Sequence, residues 1–308
     1  MKRIWYISGT VGVLMLGAVG WGVDYLYRYA IATGKKDFIS QSEATGSGGA
    51  AFDHWTFAEQ APETLSLEAR DGLKLKGTYF QHKEQHKKLA VIAHGYGSDS
   101  TYMKEYAKMI FEMGWDIFLP DARGHGQSEG NYIGFGWDER LDLIDWTSQL
   151  VKRYSKDVDV MLFGVSMGAS TVMMGSGEKL PEQVKIIVED CGYTSVKNEL
   201  SYQLKEMFHL PSFPLIPLTS VYTDLKTGYN FYEADAVKQL KKNKLPTLFI
   251  HGTEDTFVPT EMVHSLYDAA QGPKELWLVE GAGHAESLKK APENYEKQLG
   301  NFISRYLK

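Results

Sequence analysis

Two pentapeptides in the chain place a serine between glycines: Gly164-Val165-Ser166-Met167-Gly168 and Gly126-Gln127-Ser128-Glu129-Gly130. The pattern suits nucleophilic catalysis when a strand runs into the serine and a helix leaves it. Such a turn exposes the hydroxyl, and the flanking glycines let the strand and helix backbones approach. An apolar run, Val158 to Phe163, precedes Ser166, and a helix-like run, Ala169 to Met174, follows it. Ser128 instead sits after Asp121-Ala122-Arg123-Gly124-His125-Gly126, a loop composition. Ser166 is therefore the expected nucleophile and Ser128 a decoy.

A serine hydroxyl attacks poorly at neutral pH unless a base takes its proton, and histidine, ordinarily titrating at about 6.5, is the suitable base. Of nine histidines, His284 in Gly281-Ala282-Gly283-His284 follows the last expected strand and can reach one rim of a sheet. The base in turn needs a carboxylate that fixes its tautomer. Asp255 follows the penultimate strand; Asp190, after Val184 to Val188, is the rival. The order Ser166, Asp255, His284 is the one expected of a strand-turn-helix nucleophile on an α/β sheet. Charge developing on a carbonyl oxygen needs preset donors, and His94-Gly95-Tyr96-Gly97 offers the Tyr96 N–H as a partner for the Met167 N–H. His94, His125 and His251, each beside a glycine, read as loop hydrogen-bonders, and Cys191 as a small buried side chain.

The elements that must position these residues follow from the hydrophobic pattern. Leu65 to Ala69 and Leu73 to Phe80 straddle Asp71-Gly72, an antiparallel hairpin signal. Leu89 to Ala93, Asp116 to Leu119, Val158 to Phe163, Val184 to Val188, Thr247 to Ile250 and Glu275 to Val279 read as buried parallel strands. Helix-like spacing occupies Thr101 to Met113, Asp138 to Tyr154, Ser166 to Gly175, Thr260 to Ala270 and Pro292 to Tyr306. The expectation is an α/β fold: a doubly wound, mostly parallel sheet of about eight strands with an N-terminal antiparallel hairpin. Ligands of such sheets bind outside the carboxyl ends of the strands. Residues 192–235 are expected as a lid-like insertion, in which Pro211, Pro214 and Pro217 break regular structure between apolar side chains.

The chain of 308 residues is 43% hydrophobic and 23% charged with a net charge of -6, which suits a globular enzyme. No basic block is present, which argues against a nucleic-acid partner. One cysteine leaves no intrachain disulfide and no cysteine-rich zinc site. Ile4 to Val23 carries no charge over 20 residues, follows Lys2 and Arg3, and has aromatic residues at both ends. It reads as a membrane-spanning helix, with a signal peptide cleaved near Ala30-Ile31-Ala32 and a buried soluble helix as the alternatives. The expected organisation is an anchor over 1–34, a flexible linker over 35–51 and a catalytic domain over 52–308. The Lys2-Arg3 pair places the N-terminus inside and the catalytic domain outside the cell membrane, crossing it once.

The stretches HGYGS, DARGHGQSEG, GVSMG, HGTEDTFVP and GAGH together resemble the α/β-hydrolase superfamily. DARGHGQSEG and EDCGYTS resemble its bacterial membrane-anchored members, described as cell-surface or serine-aminopeptidase-like hydrolases. The resemblance covers about Pro62 to Leu307 and implies Ser166, Asp255 and His284 as a triad, with Tyr96 and Met167 as oxyanion donors. It implies a serine hydrolase of carboxylic esters or related acyl substrates, with no cofactor or metal. A serine aminopeptidase acting on short peptides, a thioesterase, and a non-catalytic membrane-bound binding protein on the same scaffold remain alternatives.

Overall fold

The computed structural model describes residues 17–34, 61–82 and 87–307. Its strands are β1 Glu63–Glu68, β2 Lys74–Phe80, β3 Lys88–Ala93, β4 Asp116–Pro120, β5 Asp159–Val165, β6 Val184–Asp190, β7 Thr247–Gly252 and β8 Lys274–Val279. They form one sheet in the order β1-β2-β4-β3-β5-β6-β7-β8. β1 and β2 pair antiparallel across the Asp71-Gly72 turn, and β2 pairs antiparallel with β4. Every later pairing is parallel. The eight-stranded sheet and its hairpin match the sequence expectation, because strands covered on both faces must be continuously apolar. Leu89 to Ile92 and Val160 to Phe163 are accordingly buried to the last side chain.

The helices are α1 over residues 17–31, α2 Lys104–Glu112, α3 Glu139–Arg153, α4 Met167–Ser176, α5 Val196–Phe208, α6 Leu215–Thr227, α7 Ala236–Leu240, α8 Glu261–Ala269, α9 Ser287–Lys290 and α10 Pro292–Tyr306. Tyr106 and Ile110 of α2, with Leu299 and Phe302 of α10, cover one face of the sheet. Leu143, Trp146 and Leu150 of α3 and Val172 of α4 cover the other. A third apolar cluster joins α4, α5, α6 and α8 to Ile31 of α1.

The insertion differs from expectation in one respect. The prolines do interrupt the chain between α5 and α6, but Pro217 lies inside α6, in its first turn. The N–H groups of a first turn have no helical acceptor, so the missing one at Pro217 leaves the helix intact.

The expected anchor falls partly, and the expected linker wholly, outside the described residues. Among the described residues no helix is long and apolar enough to cross a membrane. Residues 17–26 are helical and run into a π-helical turn, Tyr27–Ile31, whose last residue is fully buried in the body. Ile133 N–H donates to Ile31 O at 2.8 Å, and Ala32 forms a bridge with Tyr132.

Candidate active site

β5 ends at Val165 and α4 begins at Met167, leaving Ser166 to reverse the chain at φ 56°, ψ -117°. A non-glycine residue there is strained by about 1–3 kcal/mol and must be held by its neighbours. Ser166 N–H donates to Asp190 O at 2.8 Å, tying the turn to β6. Both flanking glycines are sterically required: a Cβ on Gly164 would lie 2.1 Å from Gly168 O, and one on Gly168 would lie 2.1 Å from Ala93 O. β5, α4 and β3 can converge on Ser166 only because these side chains are absent.

Asp255 sits in the loop after β7, where its Oδ1 accepts from Phe257 N–H at 3.0 Å and Val258 N–H at 2.8 Å. Its Oδ2 lies 2.8 Å from Nδ1 of His284, in the loop after β8. Nε2 of His284 lies 2.8 Å from Ser166 Oγ. A carboxylate can only accept, so Nδ1 carries the proton and neutral Nε2 is left to accept from the serine hydroxyl. Burial pushes the Asp255 carboxyl up, but the imidazoles of His284 and His251 outweigh it and hold the group at about 2. The phenyl ring of Phe257 covers His284, with centroids 4.9 Å apart.

Asp190, the rival acid, faces other partners. Its carboxylate accepts from Tyr295 Oη at 3.0 Å and Ser287 Oγ at 3.1 Å. Burial raises it to about 6, against the lowering effect of those hydroxyls. Ser128 is likewise occupied: its Oγ donates to Asp121 O at 2.6 Å and accepts from Lys76 N–H at 2.9 Å, pinning its loop to β2. Cys191 is fully buried behind the site, and burial pushes its thiol well up. Its sulfur, Asp255 and His284 place ligand-type atoms within 4.8 Å of one another.

The turn after β3 passes over the serine: a Cβ on Gly95 would lie 3.5 Å from Ser166 Cβ. Tyr96 follows, its ring stacked on Phe135 at 4.9 Å. Two histidines fasten this turn. His94 Nδ1 donates to Gly95 O at 2.8 Å while its Nε2 accepts from Ala122 N–H at 3.0 Å. His125 Nδ1 donates to Arg123 O at 3.0 Å and its Nε2 accepts from Gly97 N–H at 3.2 Å. Arg123 is itself fixed by a bidentate pair with Asp142 at 2.7 and 2.8 Å. The DARGHGQSEG loop is thus a brace for the Gly95-Tyr96 turn. Met167, as the first residue of α4, has an N–H with no acceptor inside the helix.

His251, read as a loop hydrogen-bonder, donates from Nε2 to Val258 O at 2.9 Å, and that nitrogen also lies 3.3 Å from Asp255 Oδ2. Asp255 is therefore flanked by two imidazoles.

Ser166 opens into a cavity, open to solvent, with apolar walls that include Tyr96, Phe135, Leu200, Leu204 and Phe257. Glu199 and Gln203 of α5 are among its few polar residues. Burial raises the Glu199 carboxyl to about 7, although Gln203 donates to it at 2.9 Å. The motifs did not single out these α5 residues within the expected 192–235 insertion, because apolar positions on a helix look the same whether they face a core or a cavity.

A strained serine between two indispensable glycines, on a parallel sheet with an antiparallel hairpin, decides the architecture. The chain has the fold of the α/β-hydrolase superfamily. An esterase of Pyrococcus furiosus, Pf2001, is similar in structure at TM-score 0.67 and 23% identity, covering 85% of this chain and 98% of that one. A family model described as serine aminopeptidase, S33, matches residues 84–209. The Bacillus subtilis protein YqkD is 26% identical over 96% of this chain and 95% of its own length. Human monoglyceride lipase is 24% identical over 70% of this chain and 80% of its own length.

Proposed function

We propose that this protein of α/β-hydrolase fold is a serine hydrolase that cleaves carboxylic esters through an acyl-enzyme. The hydrogen-bonded chain Ser166 Oγ–His284–Asp255, 2.8 Å at each link, is the observation that carries the reading. Ser166 Oγ attacks the acyl carbon as its proton passes to His284 Nε2, and Asp255 steadies the resulting imidazolium. The N–H groups of Tyr96 and Met167 receive the negative oxygen, each such donor contributing about 3 kcal/mol in the transition state. The tetrahedral species collapses by breaking the bond to the alcohol oxygen, which leaves with the proton from Nε2. Water then gives a proton to Nε2 and its oxygen to the acyl carbon, and Ser166 departs with that proton, releasing the acid.

The relatives named for esterase and lipase activity, together with the apolar cavity beside Ser166, support an ester of an apolar acid. The matching family description favours a second reading, an aminopeptidase, which would have to protonate an amine leaving group. Purified protein should be labelled by a fluorophosphonate and should turn over p-nitrophenyl esters. Ser166→Ala should lose at least about 10⁴-fold in kcat. Faster turnover of aminoacyl amides than of esters would instead establish the second reading.

We also hold that residues 1–34 anchor the protein in the cell membrane with the catalytic domain outside, on the strength of the uncharged run from Ile4 to Val23. Extraction of the full-length protein from membranes by alkaline carbonate would contradict the anchor.

A further inference from the structure

Leu26, Tyr29, Ala30 and Ile31 of α1 line the same cavity as Ser166. The segment whose sequence reads first as an anchor therefore also reaches the reaction site. It is held there by several independent ties. Tyr96 Oη donates to Ala30 O at 2.7 Å, and Tyr222 Oη of α6 donates to Asp24 at 2.7 Å. Tyr29 packs edge-on against Phe208 of α5, with centroids 5.3 Å apart, and Ile31 is fully buried. The first tie reaches the chemistry, since Tyr96 is the residue assigned above as an oxyanion donor. The π-helical turn Tyr27–Ile31 carries both the Ala30 carbonyl and most of the lining residues, and such turns recur at functional sites.

We propose that α1 is a structural wall of the acyl site and that Leu26 and Tyr29 help select the acyl chain, an inference that rests on the ester-hydrolase reading above. The ligand is an unbranched or weakly branched apolar acyl group lying between α1 and the lid helix α5. Transfer of one more methylene from water to an apolar wall changes binding about fourfold, so the volume of a wall residue translates into a preference among chain lengths.

Full-length protein in detergent micelles should be assayed on p-nitrophenyl acetate and p-nitrophenyl laurate, with fluorophosphonate labelling of Ser166 in parallel. Leu26→Trp narrows the cavity and should lower the laurate-to-acetate ratio of kcat/KM on the order of tenfold, while Leu26→Ala should raise it. Trp21→Ala, on an exposed face of the same helix, should leave the ratio unchanged. An unaltered ratio in both Leu26 variants, with Ser166 still labelled, would overturn the inference and leave the hydrolase reading standing. Loss of labelling in both would also overturn it, by showing that α1 maintains the fold and does not select among chains. A wild-type protein that neither reacts with the probe nor turns over either ester would sink the hydrolase reading itself.

Discussion

Asp255 shows how many groups are needed to keep one carboxylate ionised out of water. Two backbone N–H groups bond one oxygen, and His284 and His251 approach the other at 2.8 and 3.3 Å. Asp255→Asn would let an amide donate towards Nδ1, forcing the proton onto Nε2, where it blocks the acceptor that Ser166 needs. The expected fall in kcat is about 10⁴-fold with the fold retained, measured by ester turnover and circular dichroism. Activity within tenfold of wild type would remove Asp255 from this role. Gly168→Ala tests a different demand, since its Cβ would lie 2.1 Å from Ala93 O. The loss should be at least about 2 kcal/mol in urea unfolding, because backbone, not a flexible side chain, has to move. Both residues were legible in the sequence, the glycine through its spacing and the aspartate through its place after a strand. The second imidazole beside Asp255 was not, since Gly252 after His251 suggested only a loop contact.

At the scale of elements, the Gly95-Tyr96 turn, proposed to hold the oxyanion, is only as rigid as the loop beneath it. Arg123 connects that loop to α3 through Asp142 and to the hairpin through Asp71 at 2.8 Å. Arg123→Met leaves Asp142 buried without its cation, and breaking such a pair costs about 3–5 kcal/mol. We expect a loss of that order in denaturant unfolding, with ester kcat reduced as well because His125 no longer holds Gly97. A stability within 1 kcal/mol of wild type would show the pair to be dispensable. The strands and the α3, α4, α8 and α10 helices could be read from apolar periodicity to within a residue or two. α5 and α6 escaped because the prolines between them obscured the helical period. The packing of α1 escaped for another reason: an uncharged helix face has the same composition whether lipid or protein covers it.

The whole molecule buries several carboxyls whose ionisation water would otherwise favour. Burial raises Glu139 and Glu199 to about 7, Glu189 to about 8 and Asp190 to about 6. In the unfolded chain these groups ionise at about 4, so between there and pH 8 the folded state holds more protons and stability falls as pH rises. Asp255 acts in the opposite sense, contributing stability above pH 4 that is lost as pH drops towards 2. The melting temperature should therefore be higher at pH 5.5 than at pH 8. Glu189→Gln should flatten that slope, because Gly192 N–H keeps an acceptor while the ionisable group is gone. A melting temperature that climbs from pH 5.5 to 8 would contradict the assignment. The single thiol supplies an internal witness to such transitions. Cys191 is fully enclosed behind His284 and held protonated, so a maleimide can reach it only when the catalytic centre opens. The speed at which the reagent is consumed then measures how often that interior breathes, without any label having to be engineered.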